Sequence, residues 1–316
     1  MQNSVRHTLE QQMLQTQANV LLPLITLTLS DLGYQNISHQ RLSQHNNMES
    51  MYQGLSRAFY KPFGEVMIKW QISSDSSLNS ASLNQEIEVL KTLNSPQSSN
   101  KATKIAIAPP MLSYETLILN LLEQNQSLTL LVMPYYSQGN LAQYLQQSLI
   151  IEQKHQLIIK AAKLISAIHA KGWLHNDIKP SNILINEKYD LLLTDFALAE
   201  PVENSDKDKD RVKNSAGTPA YLAPERWQGQ GATMQSDIYA FGMVMFEILV
   251  GERPFATDSS SSTPLKAWAI QHCQQPIPLL PTEYSHYQYI IEKALAKKVD
   301  RRYQRMDEVV EDILCL

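Results

Sequence analysis

The chain has 316 residues, 43% hydrophobic and 18% charged, with a formal net charge of −4. That length supports one large or two modest domains with real cores, and the slightly acidic balance gives no reason to expect nucleic acid or an anionic membrane as main partner. The two cysteines, Cys273 and Cys315, are too far apart to suggest a disulfide framework or a zinc site, which points to a reduced compartment.

In chain order, residues 1 to about 33 form a Gln-rich segment, expected to be helical as far as Pro23, with no assignable chemistry. Its apolar run Val20 to Leu29 is too short to span a bilayer but needs burial, on a neighbouring lobe or a partner. Ile37 to Leu42, Leu55 to Tyr60 and Glu65 to Trp70 read as strands, with a tight turn at Pro62-Phe63-Gly64. Leu83, Glu86, Ile87 and Leu90 share one helical face, and Leu117 to Leu122 and Thr129 to Met133 read as two more strands. Beyond Gly139 the pattern turns helical: Leu157, Ala161, Leu164, Ile165 and Ile168 keep helix spacing, as do Met306, Val309, Val310, Ile313 and Leu314. Ile238 to Val250 is apolar but carries Glu247 and fits a buried core helix. The expectation is an α+β protein without a membrane span, soluble and cytoplasmic, in which a small β-rich lobe joins a larger helical one. A cleft at such a boundary is where ligands usually bind.

One stretch carries most of the chemistry. His175-Asn176-Asp177-Ile178-Lys179-Pro180-Ser181-Asn182 is followed by Ile183-Leu184-Ile185, a polar turn, Leu191-Leu192-Leu193 and then Thr194-Asp195-Phe196-Ala197. Loop, strand, turn and strand in that order fold the two carboxylates back beside each other. Asn182 and Asp195 offer hard oxygens suited to Mg²⁺ carrying a nucleotide, while Asp177 and Lys179 suit a base and a phosphate-neutralising cation. Taken singly, such an aspartate could be a loop cap. A lone strand lysine such as Lys69 is usually just solvated, but Glu86 follows seventeen positions later on a predicted helix and could hold it.

The ordered set resembles the eukaryotic-type (Hanks-type) Ser/Thr protein kinases from about Tyr34 to the C-terminus. The resemblance implies a two-lobed kinase fold, with residues 1–33 as an extension of unassigned role, 34–133 as the small lobe and 134–316 as hinge and large lobe. Val66-Met67-Ile68-Lys69 matches the strand lysine that grips the nucleotide phosphates, with Glu86 as its partner. Asp177 matches the catalytic-loop aspartate, Lys179 the γ-phosphate cation of Ser/Thr-specific members, and Asn182 and Asp195 the two Mg²⁺ ligands. His175 is implied to be structural. In Leu131-Val132-Met133-Pro134-Tyr135-Tyr136, Met133 would be the gatekeeper, Pro134 would offer adenine its carbonyl, and Tyr136 its N–H, which a proline could not supply. Ala216-Gly217-Thr218-Pro219-Ala220-Tyr221-Leu222-Ala223-Pro224-Glu225 matches the peptide-docking loop, with Glu225 paired to Arg302, and Asp237 matches the anchor of the catalytic-loop backbone.

The chain departs from that family in three places. The Gly-rich loop is placed at Met51 to Ala58, with Gln53 and Ser56 where glycines belong and only Gly54 near the phosphates; a second register puts the turn at Ser43 to Asn47. Asn176 replaces the arginine that reads an activation-loop phosphate, and Ala197 replaces a glycine. The resemblance implies ATP and Mg²⁺ as cofactors and Ser/Thr hydroxyls of proteins as acceptors. The degraded loop leaves a pseudokinase as an alternative, and the Asp/Asn pattern leaves a small-molecule kinase of the aminoglycoside or choline type. Nothing in the sequence sets the oligomeric state.

Overall fold

The structure is a computed structural model that describes residues 18–44, 52–74, 82–95, 105–121, 124–204, 217–257 and 263–316. These residues fold as two compact units, those within Met1–Pro96 and Pro109–Tyr135 in one and those within Gln97–Ala108 and Tyr136–Leu316 in the other. Among the described residues no helix is long and apolar enough to cross a membrane.

The first unit is built on one antiparallel sheet. Its strands are β1 (Gln35–Gln44), β2 (Tyr52–Tyr60), β3 (Gly64–Ser74), β4 (Ser113–Leu121) and β5 (Gln124–Pro134), in the order β1-β2-β3-β5-β4. The β2–β3 turn falls where the sequence places it, and Gly64 takes the left-handed conformation (φ 76°) that closes it. Helix α1 (residues 18–31) precedes the sheet and α2 (Ser82–Asn94) follows β3.

Strand alternation sends successive side chains to opposite faces, and each face receives one helix. On one face Leu21, Ile25 and Leu29 of α1, spaced four apart, pack into a core with Ile68, Trp70, Ile72, Leu128, Leu130 and Val132. The apolar run that needed burial thus buries one stripe, Leu21, Ile25 and Leu29, on this sheet, while Val20 and Leu27 stay exposed. Helix α1 also passes straight through Pro23 instead of ending there. Burying three large aliphatic side chains contributes about 1.5–3 kcal/mol each, enough to offset the hydrogen bond a helical proline forfeits.

A chain of hydrogen bonds ties α1 to three strands. Thr26 Oγ1 donates its single proton to the Leu22 carbonyl (2.8 Å), so His39 Nε2 must be the donor toward Thr26 (2.8 Å). His39 Nδ1 then accepts from Ser56 Oγ (2.8 Å), which in turn accepts from the Trp70 indole N–H (2.9 Å). Burial holds the His39 pKa below its ordinary value, consistent with a neutral ring.

The loop register expected at Met51 to Ala58 is corrected here. Residues 52–60 are continuous strand, and residues 45–51, which include most of the alternative Ser43 to Asn47 register, lie outside the described residues. Gly54 pairs with Trp70 across β2 and β3 while Lys69 pairs with Leu55, so Gly54 lies on the face opposite Lys69. A Cβ at Gly54 would sit 2.0 Å from Trp70 Cζ2. Gly54 and Ser56 thus make room for and bond the indole, and neither belongs to a phosphate-binding turn.

The second unit is mainly helical. Its helices are α3 (Leu141–Tyr144), α4 (Ile151–Ala170), α5 (Pro224–Trp227), α6 (Met234–Val250), α7 (Pro264–Gln274), α8 (Gln288–Ala294) and α9 (Met306–Leu314). Two short antiparallel pairings join β6 (Trp173–Leu174) to β9 (Glu200–Pro201) and β7 (Ile183–Ile185) to β8 (Leu191–Leu193). Helix α6 starts in a capping box at Thr233 and is buried on nearly all sides, as the apolar run at 238–250 requires. Met306, Val309 and Ile313 of α9 are buried as expected, but Leu314, in the last turn of the helix, is exposed.

Beside α6, the fully buried His272 of α7 bonds Tyr239 through Nδ1 (2.9 Å), with the rings of Trp227 and Trp268 stacked at 6.4 and 5.7 Å from its own. Burial, with Lys297 nearby, pushes its pKa down to about 3 from 6.5. The folded state thus favours the neutral ring, so this contribution is complete above pH 6.5 and is lost as pH falls toward 3. Urea unfolding across that window should show a decline in stability that His272→Phe flattens; parallel pH profiles for the two proteins would refute it. Gly54→Val should cost about 1–3 kcal/mol by overpacking against Trp70, and an unchanged unfolding midpoint would remove that account of the glycine.

Candidate active site

The strand lysine and the helix glutamate meet within the first unit. Lys69 Nζ lies 2.5 Å from Glu86 Oε2, and both residues are buried. An ion pair this far from water costs several kcal/mol per charge to desolvate and holds only while both partners stay in place. Met133, buried and paired with Met67, and Pro134, paired with Val66, end β5 next to this pair's strand. Tyr135 continues the alignment by donating its N–H to the Glu65 carbonyl (3.1 Å), and the half-buried Tyr136 opens the second unit.

In the second unit the sequence's central stretch folds as read: a loop at 175–182, then the β7–β8 hairpin. The Thr194 N–H bonds the Asn182 carbonyl (3.0 Å), which brings the start of the Asp195 segment back to the end of the catalytic-type loop. Asp195 and Asn176 both sit in the left-handed region (φ 66° each), a conformation Asp and Asn tolerate better than most residues. Phe196 lies buried 5.2 Å from the His175 ring, and His175 Nε2 bonds the Thr194 carbonyl (3.1 Å). His175 is therefore a packing and tethering residue.

Asp177 is the centre of a tight polar cluster. Asn182 Nδ2 donates to its carbonyl and to its Oδ2 (3.0 Å each), and Lys179 Nζ approaches Oδ2 at 2.6 Å. Thr218 completes the set: its N–H (3.0 Å) and hydroxyl (2.7 Å) both donate to Asp177 Oδ1, while Lys179 donates to the same hydroxyl at 2.6 Å. Sequence reading placed Thr218 only in a docking loop. The signal that could have found it was a hydroxyl at the mouth of a Gly-Thr-Pro turn, next to an aspartate in need of donors.

The loop's backbone is held from below. The His175 and Asn176 N–H groups donate to Asp237 Oδ2 (2.9 Å) and Oδ1 (3.0 Å), and His169 Nε2 also bonds Oδ2 (2.9 Å). Burial alone would raise the Asp237 pKa, but these bonds more than offset it and hold it below the ordinary value. Asn176, in place of a cation, uses its side-chain N–H to bond the Leu198 carbonyl (2.9 Å), tying the loop directly to the segment after Asp195. Glu225 and Arg302 form the expected buried pair in bidentate geometry (2.9 and 2.7 Å), with Ser236 adding a bond to Glu225 Oε1 (2.8 Å). Desolvation works against the ionised Glu225, and the guanidinium outweighs it.

The donor set fits a nucleotide-bound Mg²⁺. With the Asn182 Nδ2 spent on Asp177, its Oδ1 is the hard-oxygen end of a fixed amide, and Asp195, which follows the Thr194 bonded to the Asn182 backbone, offers a carboxylate of the same hard-oxygen class.

Known proteins are similar to this chain in sequence. A family model described as "Protein kinase domain" matches residues 65–313. The probable serine/threonine-protein kinase PknB of Lactococcus lactis is 32% identical over 189 residues, 58% of this chain and 29% of that protein. Serine/threonine-protein kinase PknB of Mycobacterium tuberculosis is 32% identical over 163 residues, 50% of this chain and 25% of the relative. A probable PknB of Bifidobacterium longum is 30% identical over 195 residues, 60% and 28% of the two chains. The alignments thus cover less than a third of these curated relatives. With the lysine–glutamate pair, the aspartate cluster and the Glu225–Arg302 pair all formed inside a match that spans most of its length, this chain belongs to the protein kinase domain family.

Proposed function

We propose that the chain is an ATP- and Mg²⁺-dependent Ser/Thr protein kinase that moves the γ-phosphate of ATP to protein hydroxyls. The observation that carries this reading is the Asp177 cluster. It already holds a threonine hydroxyl, that of Thr218, between a carboxylate at 2.7 Å and an ammonium at 2.6 Å. An acceptor serine or threonine presented to the same groups would be oriented by Asp177, which takes its proton as the oxygen attacks phosphorus. Lys179 offsets the negative charge that develops on the transferred group. Asn182 keeps the Asp177 carboxylate from rotating away, so much of the rate comes from positioning.

Lys69, braced by Glu86, would bind the α- and β-phosphates, and Met133, Pro134 and Tyr136 would frame the adenine. Asn182 and Asp195 would hold Mg²⁺, which would neutralise negative charge on the nucleotide phosphates. Asp177 and Lys179 are the residues that touch the reacting groups. With Asn176 bonded to Leu198, the segment beyond Asp195 is anchored without a phosphate, so activity that does not depend on phosphorylation of that segment is the corresponding expectation.

Transfer of radiolabel from Mg²⁺-ATP to the chain itself or to a generic Ser/Thr-containing protein tests the proposal. Amino-alcohol acceptors in parallel separate it from small-molecule phosphorylation. Asp177→Asn should cut kcat by about 10²–10⁴ with ATP affinity little changed; equal turnover would take the base role from Asp177. Lys69→Met should weaken nucleotide binding and strand the Glu86 charge, lowering stability by about 3–5 kcal/mol. Unchanged ATP affinity and turnover would break the assignment of that strand lysine.

A further inference from the structure

We infer that Gln71 is a positioning residue for the Lys69–Glu86 pair, fixing the rotation of α2 against the sheet; this rests on the kinase reading above. Gln71 is 4% exposed, on the same face of β3 as Lys69. Its Oε1 accepts two bonds, from Gln53 Nε2 of β2 (2.9 Å) and from the Leu83 N–H at the start of α2 (3.3 Å). A side-chain carbonyl has two lone pairs, so both bonds can be made together. The Leu83 N–H is one of the first-turn donors for which a helix has no internal acceptor.

The spacing gives the arrangement its consequence. Lys69 and Gln71 are two residues apart along the strand, about 6.6–6.8 Å. Leu83 and Glu86 are three apart along the helix, about 4.5 Å of rise and on the same face. The strand therefore grips the helix at two points roughly one turn apart: Gln71 on the Leu83 backbone and Lys69 on the Glu86 side chain. The buried Leu83, Ile87 and Leu90 side chains pack this face of α2 without directional preference, and the two polar contacts set its phase. Gln53 holds the Gln71 amide from the other side, so the acceptor is fixed before the helix docks. On β5, Thr129 lies opposite Gln71 and bonds Thr116 of β4 (3.2 Å), which continues this row of polar side chains across the sheet.

The alternative is that Gln71 only satisfies a buried N–H, with no bearing on Glu86. A double-mutant cycle on the full chain separates the two. Gln71→Leu should raise KM for ATP about tenfold, equivalent to about 1.4 kcal/mol. Gln71→Glu, which keeps both acceptor contacts, should restore KM to within about threefold of wild type. In a Glu86→Gln background, Gln71→Leu should add no further loss. Amide exchange at Leu83 should quicken in Gln71→Leu. Additive losses in the double variant, or a fall in thermal stability with KM unchanged, would overturn the inference. If the wild type transfers no phosphate, the kinase reading fails, and Mg²⁺-ATP affinities of the wild type, the Gln71→Leu and Glu86→Gln variants and their double variant judge Gln71 separately. There a non-additive loss supports it, and an additive loss or none refutes it.

Discussion

The carboxylate of Asp237 is the constraint on which the second unit's chemistry depends. It sits in the first turn of α6, inside the apolar core, and accepts two backbone N–H groups from the catalytic-type loop and one bond from His169. An ionised carboxylate cut off from water is costly unless its lone pairs are filled, and the positive end of the helix dipole favours it there. Those bonds hold His175 and Asn176 at adjacent positions, one of them in the left-handed region, and thereby set the direction in which Asp177 leaves the core. The polar cluster above is assembled on a backbone pinned at this single buried group.

The first unit follows a different logic, a division of labour between the two faces of one sheet. On the face carrying Lys69 and Gln71, polar pairings with α2 fix a charge in space among buried apolar side chains such as Leu131 of β5 and Leu83 and Ile87 of α2. The other face is given over to apolar packing with α1, crossed by the Thr26–His39–Ser56–Trp70 relay. Alternation along β3 lets adjacent residues serve opposite tasks: Lys69 is held by an ion pair, and Trp70 next to it is held by a glycine-sized hole. A one-residue slip in this strand would exchange the two faces.

Much of the site was legible because its residues act through side-chain chemistry at fixed spacings. The seventeen-residue interval from Lys69 to Glu86, the Asp177–Asn182 turn and the Asp195 that follows the hairpin need no tertiary information to be noticed. What was not legible depended on packing. Gly54 has no side chain, and the sequence does not say whether the space is for a phosphate or for an indole; the register of β2 on β3 decides it. Pro23 reads as a helix end by local propensity, and only the sheet beneath α1 overrides it. Thr218 and Gln71 are ordinary polar residues whose roles come from partners 41 and 12 positions away in the chain.

The placement of α1 has a consequence for how the chain must be made. Leu21, Ile25 and Leu29 are buried against Leu128, Leu130 and Val132 of β5, roughly a hundred residues further on. At synthesis rates of about 5–20 residues per second, the apolar stripe of the helix leaves the ribosome on the order of 5–20 seconds before the strand that covers it. For that interval the nascent chain carries an uncovered amphipathic helix ahead of an unpaired sheet edge, the two features that most invite aggregation or chaperone capture. The element that completes the small unit's core thus emerges well before the strand that encloses it.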